Sequence, residues 1–384
     1  MQLPTITEVD NIEGKYALVC IAADVPIKDG VVQNQFRLIH AIPTLKCLVA
    51  GGARVIVFGH VGRKPENTMQ PVYDVLKEQF DIVWAGGLVG DEVTAKRNEL
   101  ENGQILMLEN SRSDPREKAN DDSLARELAG LADFYVNDDF PTSHREHTAY
   151  VSIPKHLPTY AGIAFHAEYE ELGNVRTPKT PALFMIGGAK FETKQPLVEQ
   201  FLSLYDHIFV CGALANDFYK ARGFNVGTSL VSDEEITDEA LIHNPKILLP
   251  TDVVVEGPQG VRTTSPEDVR DDEAILDAGP ATIEMLSTHV AEAKTILWNG
   301  PLGAFEILPF DNATMALACC VANVTTNSDV VSVAGGGDTV AALNAADVTG
   351  KFTYVSSAGG AFLEWLEGKE LPGIAALQKA IKPT

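Results

Sequence analysis

Short apolar runs alternate with segments of helical periodicity along most of this 384-residue chain. The first half contains five runs that predict β-strands, at 18–23, 54–58, 82–85, 105–108 and 134–136. The second half contains six more, at 182–186, 207–211, 246–249, 295–298, 330–334 and 352–356. Strands that alternate with helices are typical of βαβ units in a mostly parallel sheet. Because the chain is too long for one ordinary core, we predict two doubly wound α/β domains.

A helical stretch separates the two blocks of strands. Gly162 precedes it, and the segment 177–181 after it contains two prolines. Glycine and proline on both sides of a helix are typical of a connector between domains. We therefore predict a first domain at 1–163, an interdomain helix at 164–176 and a second domain at 177–370.

The charge of the chain limits its partners. The net charge of −23 argues against binding to nucleic acid or to an anionic membrane surface, which both require a basic protein surface. No apolar run approaches the roughly 18 residues of a membrane span, and the first residues lack a basic-then-apolar signal. Five cysteines without a Cys-x-x-Cys pair indicate reduced thiols. We expect a cytoplasmic protein, and a monomer.

Basic residues follow three strands of the first half. Ligands of open parallel sheets bind beyond the carboxyl ends of the strands, so these residues are expected to meet. They are His60 and Arg63 after the second strand, Arg112 after the fourth and Arg145 after the fifth, and Arg37 at the start of the first helix could join them. Because the planar guanidinium suits phosphate and carboxylate, this cluster predicts a site for a small, multiply charged anion.

His144 and His147 lie beside Arg145 and allow more than one interpretation. Their spacing of three would suit a metal, but no third ligand with suitable spacing is near, and zinc sites normally have three or four protein ligands. A contact to phosphate or a structural hydrogen bond is favoured over a metal site.

Glycine-rich turns follow five of the six strands in the second half. Backbone N–H groups at helix N-termini bind phosphates, so this set predicts a nucleotide site. The turns contain Gly187 and Gly188, Gly212, Gly300, Gly335 to Gly337, and Gly359 and Gly360. Asp338, within the fourth turn, could hold Mg²⁺ or simply bond its own backbone.

Two lysines, Lys190 and Lys194, follow the first of these turns. Lysines four residues apart on one helix face repel each other unless an anion lies between them. With the acidic background of the chain, they are predicted to be exposed and to meet a phosphate. A small anion site in one domain and a nucleotide site in the other are the components that phosphoryl transfer requires.

From Val19 to Leu377, the sequence resembles the phosphoglycerate kinase family. The matching segments occur in the family's order and include GHVGR at 59–63, LENSR at 108–112, IGGAKFETK at 186–194, WNGPLGAFE at 298–306 and GGGDTVAA at 335–342. The resemblance implies a glycolytic transferase that moves a phosphoryl group reversibly between ATP and the carboxyl group of 3-phosphoglycerate, with Mg²⁺. It also implies a cleft between the domains, hinge closure, and a last segment, 371–384, that packs back on the first domain.

The resemblance assigns a role to each matching position. The acceptor residues are His60, Arg63, Arg112 and Arg145 on the 3-phosphate, Arg37 near the carboxyl group, and Ala22 and Asp24 at the glycerate-reading positions. The transferring phosphate would meet Arg37, Lys190 and Lys194 and the N–H groups of Gly359 and Gly360. The nucleotide would be bound by Lys194, Gly212, Asn299, Pro301, Glu306 on the ribose, Gly336, Gly337 and Thr339, and Asp338 would hold Mg²⁺.

The chain departs from the family pattern at a few of these positions. The family's Asp and Asn that contact the glycerate are Ala22 and Asp24 here, its Gly before the His-Arg motif is Pro141, and its Gly-Gly-Gly is Cys211-Gly212-Ala213. A lost polar contact costs about 1–3 kcal/mol where its partner is left unpaired. Two alternatives therefore stay open: a nucleotide-binding relative that has lost catalysis, and a kinase for a different phosphorylated acid.

Overall fold

The computed structural model of this chain describes residues 3–380. They fold into two compact units. Unit 1 combines the chain up to Glu170 with the segment that begins at Gly368, and unit 2 extends from Glu171 to Glu367. The division falls inside one long helix, Ile163–Arg176.

Unit 1 is built on a six-stranded parallel sheet in the order β5-β6-β4-β1-β7-β8. A small antiparallel pair, β2 and β3, follows the central strand. The strands are β1 Tyr16–Ile21, β2 Ile27–Lys28, β3 Val31–Val32, β4 Arg54–Phe58, β5 Ile82–Trp84, β6 Ile105–Met107, β7 Phe134–Asp138 and β8 Thr159–Ala161. The helices are α1 Phe36–Ala50, α2 Gln70–Leu76, α3 Asp91–Glu99, α4 Pro115–Lys118, α5 Asp122–Ala129 and α6 Ile163–Arg176.

The central strand β1 shows why this sheet is covered on both faces. Ala17, Val19 and Ile21 pack into one hydrophobic cluster with helix α1, because alternate side chains of a strand point to the same face. Leu18 and Cys20 pack into a second cluster with α5. A parallel strand buried on both faces reads as a continuous apolar run, which is how this strand was recognisable in the sequence.

Unit 2 repeats the design with a second six-stranded parallel sheet, in the order β11-β10-β9-β15-β16-β17. Its strands are β9 Ala182–Ile186, β10 His207–Val210, β11 Ile247–Leu248, β12 Val253–Gly257, β13 Gly260–Thr264, β14 Ala274–Ala278, β15 Thr295–Asn299, β16 Val331–Gly335 and β17 Tyr354–Val355. The helices are α7 Gln195–Leu202, α8 Ala213–Ala221, α9 Glu239–Ile242, α10 Pro280–Glu292, α11 Asn312–Asn327, α12 Gly337–Ala345 and α13 Gly360–Leu366. The predicted α/β architecture with two parallel sheets is confirmed.

Strands β12, β13 and β14 form a separate antiparallel sheet that the sequence reading missed. Only part of this sheet is buried: in β13 every residue is exposed or half-buried. Strand β13 therefore lacks the apolar run that marks the strands of the main sheet, and the run in β12 is only Val253 to Val255. Its residues matter for function, because two of its strands contribute to the cavity described below.

The final helix, α14 Pro372–Lys379, belongs to unit 1. The N–H of Gly373 donates a hydrogen bond to the carbonyl of Ser143 at 2.9 Å. A side chain at position 373 would place its Cβ 2.7 Å from the Ser143 hydroxyl, so this close approach requires glycine. Within residues 3–380, no helix is both long and apolar enough to cross a membrane.

Candidate active site

The basic residues of unit 1 gather at one edge of its sheet. Strands β6, β4, β1 and β7 are neighbours and run parallel, so the segments after them lie side by side. His60 and Arg63 follow β4, Arg112 follows β6, and Arg145 follows β7. Arg63 and Arg145 are exposed, whereas Arg112 is partly buried.

The Arg112 guanidinium has one hydrogen-bonded nitrogen, Nη1, and one buried nitrogen, Nε, that has no partner among the described residues. Its Nη1 donates to the carbonyl of Gly62 at 2.6 Å, which ties the loop after β6 to the loop after β4. Its Nε is buried and has no hydrogen-bond partner within the described residues. A buried donor without a partner costs about 1–3 kcal/mol unless a bound group satisfies it. Arg112 therefore carries one donor that the described residues leave unsatisfied.

The pKa of His147 is affected by the positive charges near it. Burial lowers its pKa, and the charges of Arg112, His60, Arg145 and Lys118 lower it further, to about 4. The imidazole is consequently neutral near pH 7. Arg112, Arg145 and Lys118 therefore all lie near enough to His147 to affect it, although the net charge of the chain is −23.

His60 is buried in a network of hydrogen bonds and close polar contacts. The Tyr150 hydroxyl donates to Asp139 Oδ2 at 2.6 Å, and its oxygen lies 3.4 Å from His60 Nδ1. On the other side of the ring, His60 Nε2 lies 3.7 Å from Asp24 Oδ2. Each ring nitrogen thus faces an oxygen of a neighbouring side chain.

Asp24 is engaged with the same loops. Its Oδ1 accepts the N–H of Gly62 at 2.8 Å, and its main-chain carbonyl accepts Arg37 Nη1 at 2.6 Å. Burial raises the pKa of Asp24, but the contact with His60, the Gly62 N–H and the charge of Arg37 together lower it to about 2. The carboxylate is therefore ionised near pH 7 and lies among residues of the predicted anion site. Neighbouring Ala22 is buried and offers no polar group.

In unit 2, hydrogen bonds connect three of the predicted nucleotide residues. Lys194 Nζ donates to Asn299 Oδ1 at 3.2 Å, and Asn299 Nδ2 donates to the carbonyl of Gly335 at 2.8 Å. The Gly300 N–H donates to Thr339 Oγ1 at 2.7 Å. These bonds link the carboxyl ends of β9, β15 and β16, which are neighbours in the sheet.

The two lysines differ from the expectation that they share one exposed helix face. Lys190 precedes the 3₁₀ helix Phe191–Thr193 and is exposed, whereas Lys194 follows it and leads into α7. They therefore do not lie on one continuous helix. Lys194 is partly buried, and burial lowers its pKa, although the charge of Glu367 opposes this shift.

The glycine turns lie where the sequence predicted them. Gly212, Gly336 and Gly359 are the residues immediately before helices α8, α12 and α13. The turns after β9 and β15 approach so closely that a Cβ on Gly300 would lie 2.6 Å from the backbone of Gly187. Only glycine permits this contact, and it keeps both turns open to a ligand.

A cavity of about 290 Å³ lies beside these turns. Gly212, Pro301 and Asp338 are predicted residues that line it. Glu306, by contrast, is exposed on the turn after β15 and does not line the cavity. Gly359 and Gly360, at the start of α13, do not line it either. The structure therefore brings together the segments that follow β9, β15 and β16. Glu306 and Lys190 lie outside the hydrogen-bonded group formed by Lys194, Asn299, Gly300, Gly335 and Thr339.

This order of strands and site residues matches a known protein family. A family model described as phosphoglycerate kinase matches residues 6–369. The chain belongs to the phosphoglycerate kinase family. Membership assigns it the activity in the family's name, a phosphotransferase activity.

Individual proteins are similar to this chain over nearly their full length. A protein named phosphoglycerate kinase from Maricaulis maris is 41% identical over 386 residues, covering 96% of this chain and 96% of the relative. One from Rhodospirillum centenum is 43% identical and covers 96% of this chain and 97% of the relative. The solved phosphoglycerate kinase from Coxiella burnetii superposes with a TM-score of 0.84 at 32% identity, covering 99% of this chain and 100% of that one.

Two departures from the family pattern prove compatible with the fold. Pro141 lies in the first turn of the 3₁₀ helix Phe140–Thr142, where an N–H has no intrahelical acceptor. Asp139 Oδ1 accepts the N–H of Thr142 and caps this turn. Cys211 is fully buried, and its Sγ lies 3.6 Å from the carbonyl of Pro301, so the cavity beside Gly212 remains open.

Asp338 fits the role of a magnesium ligand. It is exposed in the first turn of α12 and lines the cavity. Magnesium needs only one or two carboxylates when phosphate oxygens and waters complete its coordination. Among residues 3–380 no group of three or more His, Cys, Asp or Glu side chains is placed to hold a metal without such help.

Sequence reasoning missed several residues of the cavity. Asn216 and Tyr219 of α8, and Val253 and Asp277 of the antiparallel sheet, all line it. Asn216 follows Gly212 by one helical turn, so the spacing from a recognised glycine turn could have identified it. The residues of the antiparallel sheet carried no comparable signal.

Proposed function

We propose that the acceptor of this kinase is 3-phosphoglycerate, bound by unit 1, and that the donor is ATP with Mg²⁺, bound by unit 2. The observation that carries the proposal is the collection of His60, Arg63, Arg112 and Arg145 at one sheet edge of a strongly acidic protein. A 3-phosphate would satisfy the buried Nε of Arg112. Arg37 would lie near the acceptor carboxylate and the transferring group.

The reaction proceeds by attack of a carboxylate oxygen of the acceptor on the γ-phosphorus. The bond between that phosphorus and the β–γ bridging oxygen breaks, and ADP and an acyl phosphate are formed. Lys190, Lys194 and the N–H groups of Gly359 and Gly360 stabilise the negative charge on the transferring group. When bound at Asp338, Mg²⁺ neutralises charge on the nucleotide phosphates.

The remaining roles in unit 2 concern binding of the nucleotide. Gly336, Gly337 and Thr339 bind its phosphates, while Gly212, Asn299, Pro301 and Glu306 bind its nucleoside. Acceptor and donor are assigned to different units, and phosphoryl transfer requires that the two bound groups meet with water excluded. All five cysteines are free thiols, which supports an enzyme of the reducing cytoplasm, and we propose that it acts as a monomer.

A coupled assay with ATP, Mg²⁺ and 3-phosphoglycerate tests this function directly. We expect turnover that Arg112→Ala reduces mainly by raising the KM for 3-phosphoglycerate. Arg126→Ala is the matched control, because Arg126 is an exposed arginine of α5 outside the cluster. The proposal fails if no turnover exceeds background at millimolar acceptor.

A second candidate, a kinase for a different phosphorylated acid, is favoured by one observation. Ala22 and Asp24 cannot make the glycerate contacts that the family residues make, whereas the phosphate-binding arginines are retained. A panel of phosphorylated acids in the same assay distinguishes the candidates: if 3-phosphoglycerate is the best acceptor, the second candidate is excluded. Binding of ADP with no turnover on any acid would indicate a relative that has lost catalysis.

A further inference from the structure

The peptide unit that joins Lys190 to Phe191 is hydrogen-bonded on both sides. Its N–H, on Phe191, donates to Ser232 Oγ at 2.8 Å, and this bond is buried. Its carbonyl, on Lys190, accepts the Thr193 hydroxyl at 2.8 Å. Because hydrogen bonds prefer a narrow range of angles, two bonds on opposite sides restrict rotation of the peptide plane. The main chain that carries Lys190 is therefore held at a defined orientation.

Ser232 is itself held by Asp217 of helix α8. The Ser232 hydroxyl donates to Asp217 Oδ2 at 2.7 Å, and the Ser232 N–H donates to Asp217 Oδ1 at 2.8 Å. Because a carboxylate only accepts, the single hydroxyl hydrogen of Ser232 points to Asp217 and its oxygen is free to accept the Phe191 N–H. Both residues are buried, where hydrogen bonds are electrostatically stronger than in water.

The Phe191 side chain is held by the same helix. It is 3% exposed, and its ring meets the ring of Phe218 edge-on with the centroids 5.6 Å apart. Phe218 is the neighbour of Asp217 in α8. Helix α8 therefore holds Phe191 by two routes, directly through the ring and through Ser232 to the N–H. Lys190 is exposed, so the direction of its side chain depends on this main chain more than on packing around it.

The position of Lys190 matters because of the role proposed for it above. On that assignment its ammonium group stabilises negative charge on the transferring phosphoryl group. A misplacement of about 1 Å in such a group can lower a rate about 100-fold. Lys194 has a separate support, because its Nζ donates to Asn299 and its main chain leads into α7.

We propose that Ser232 and Asp217 are positioning residues for phosphoryl transfer, which hold the peptide between Lys190 and Phe191 so that the Lys190 ammonium is directed at the transferring phosphate. The inference rests on the proposed function of Lys190. The structural alternative is that the pair only joins the segment around Ser232 to α8. In that case its loss would lower stability without affecting the chemical step.

Ser232→Ala removes the acceptor of the Phe191 N–H. In the coupled assay we expect kcat to fall about tenfold while the KM values for ATP and 3-phosphoglycerate change less than twofold, because a contact made only in the transition state affects kcat. Ser232→Thr keeps the hydroxyl and should restore kcat to within about threefold. Ser332→Ala is the matched control with unchanged kcat: its buried hydroxyl also accepts a main-chain N–H, that of Thr353, but lies near the start of β16.

A double-mutant cycle distinguishes positioning from a structural role. Lys190→Ala alone should lower kcat at least about 100-fold. Adding Ser232→Ala should then lower kcat by no more than about twofold, because the lysine that Ser232 positions is gone. Losses that multiply independently would overturn the inference. An unchanged kcat in folded Ser232→Ala would overturn it too, while the function proposed for Lys190 would stand. An unchanged kcat in Lys190→Ala would remove that function and the inference with it.

Asp217→Asn tests the proposal without altering Ser232. Asparagine has the size of aspartate but only one acceptor oxygen, whereas Ser232 presents two donors, so one of the two bonds must be lost. We expect kcat to fall about three- to tenfold, with both KM values within about twofold of those of the unaltered protein. If Ser232→Ala does not fold, this variant decides: an unaltered kcat in folded Asp217→Asn contradicts the positioning role.

Discussion

Asp24 is the residue that most distinguishes the acceptor site of this chain. Its carboxylate accepts the N–H of Gly62 and lies 3.7 Å from His60 Nε2, so it places a negative charge among residues of the proposed acceptor site. With its pKa lowered to about 2 it is ionised near pH 7, and on the proposed assignment the acceptor would bind beside this negative charge. The arginine cluster has to overcome this repulsion.

Asp24→Asn should therefore improve acceptor binding. The amide oxygen can still accept the Gly62 N–H, while the repulsive charge is removed, so we expect the KM for 3-phosphoglycerate to fall about three- to tenfold. Steady-state kinetics at saturating ATP measure the change. Asp29→Asn is the control, because Asp29 is exposed in the turn between β2 and β3 and asparagine tolerates its positive φ. An unchanged or raised KM would show that the carboxylate assists the acceptor instead.

At the scale of elements, the short segment between β9 and α7 carries the predicted catalytic lysines. The 3₁₀ helix Phe191–Thr193 interrupts what the i, i+4 spacing suggested was one helix. As a result Lys190 is exposed, while Lys194 turns toward the end of β15 and contacts Asn299. The break in helical geometry gives the two lysines different environments.

Lys194→Ala should abolish catalysis with little loss of stability. We expect kcat to fall at least about 100-fold, as for other groups that stabilise charge in the transition state. The fold loses one hydrogen bond to Asn299, which is worth about 1 kcal/mol, so the melting temperature should fall by only a few degrees. Kinetics and calorimetry test both parts, with Lys351→Ala as an exposed-lysine control. A melting temperature lowered by ten degrees or more would indicate that Lys194 is chiefly structural.

For the whole molecule, a buried carboxyl group links folding to pH. Glu117 is 1% exposed, and burial raises its pKa to about 7, although the N–H of Ala149 and the charge of Arg112 oppose this shift. The unfolded chain releases this proton near its ordinary pKa of 4.5, before the folded chain does. Glu117 therefore lowers the free energy of unfolding as pH rises from about 4.5 to 7, by about 1–3 kcal/mol.

Glu117→Gln should remove this pH dependence. Glutamine keeps an acceptor for Ala149 but cannot ionise, so the variant should gain stability relative to the unaltered protein as pH rises from 5 to 8. His147, with its pKa lowered to about 4, acts in the opposite direction between about pH 4 and 6.5, but its effect cancels in the difference between the two proteins. Chemical denaturation at several pH values measures the difference. A constant difference across this range would show that Glu117 does not titrate in the folded state.

Much of the fold could be predicted because parallel strands buried on both faces leave continuous apolar runs in the sequence. The antiparallel strands β12 to β14 were missed because they are only partly buried: β13 has no apolar run, and those of β12 and β14 are three residues long. For the same reason the residues that follow the parallel strands were found, whereas Val253 and Asp277 of the cavity were not.

The order of residues along the chain shows which side chains follow each strand, including the arginines of unit 1 and the glycine turns and lysines of unit 2. The contacts that those side chains make depend on the folded structure. Tyr150 and His60 are 90 positions apart, and Lys194 and Asn299 are 105 apart, yet each pair is in contact. Only the packing of the sheets shows that the Asp24 carboxylate contacts Gly62 and His60, and that one oxygen of Asn216 has no hydrogen-bond partner among residues 3–380. Strand periodicity is local and can be read along the chain, whereas the satisfaction of a buried polar group depends on every residue packed around it.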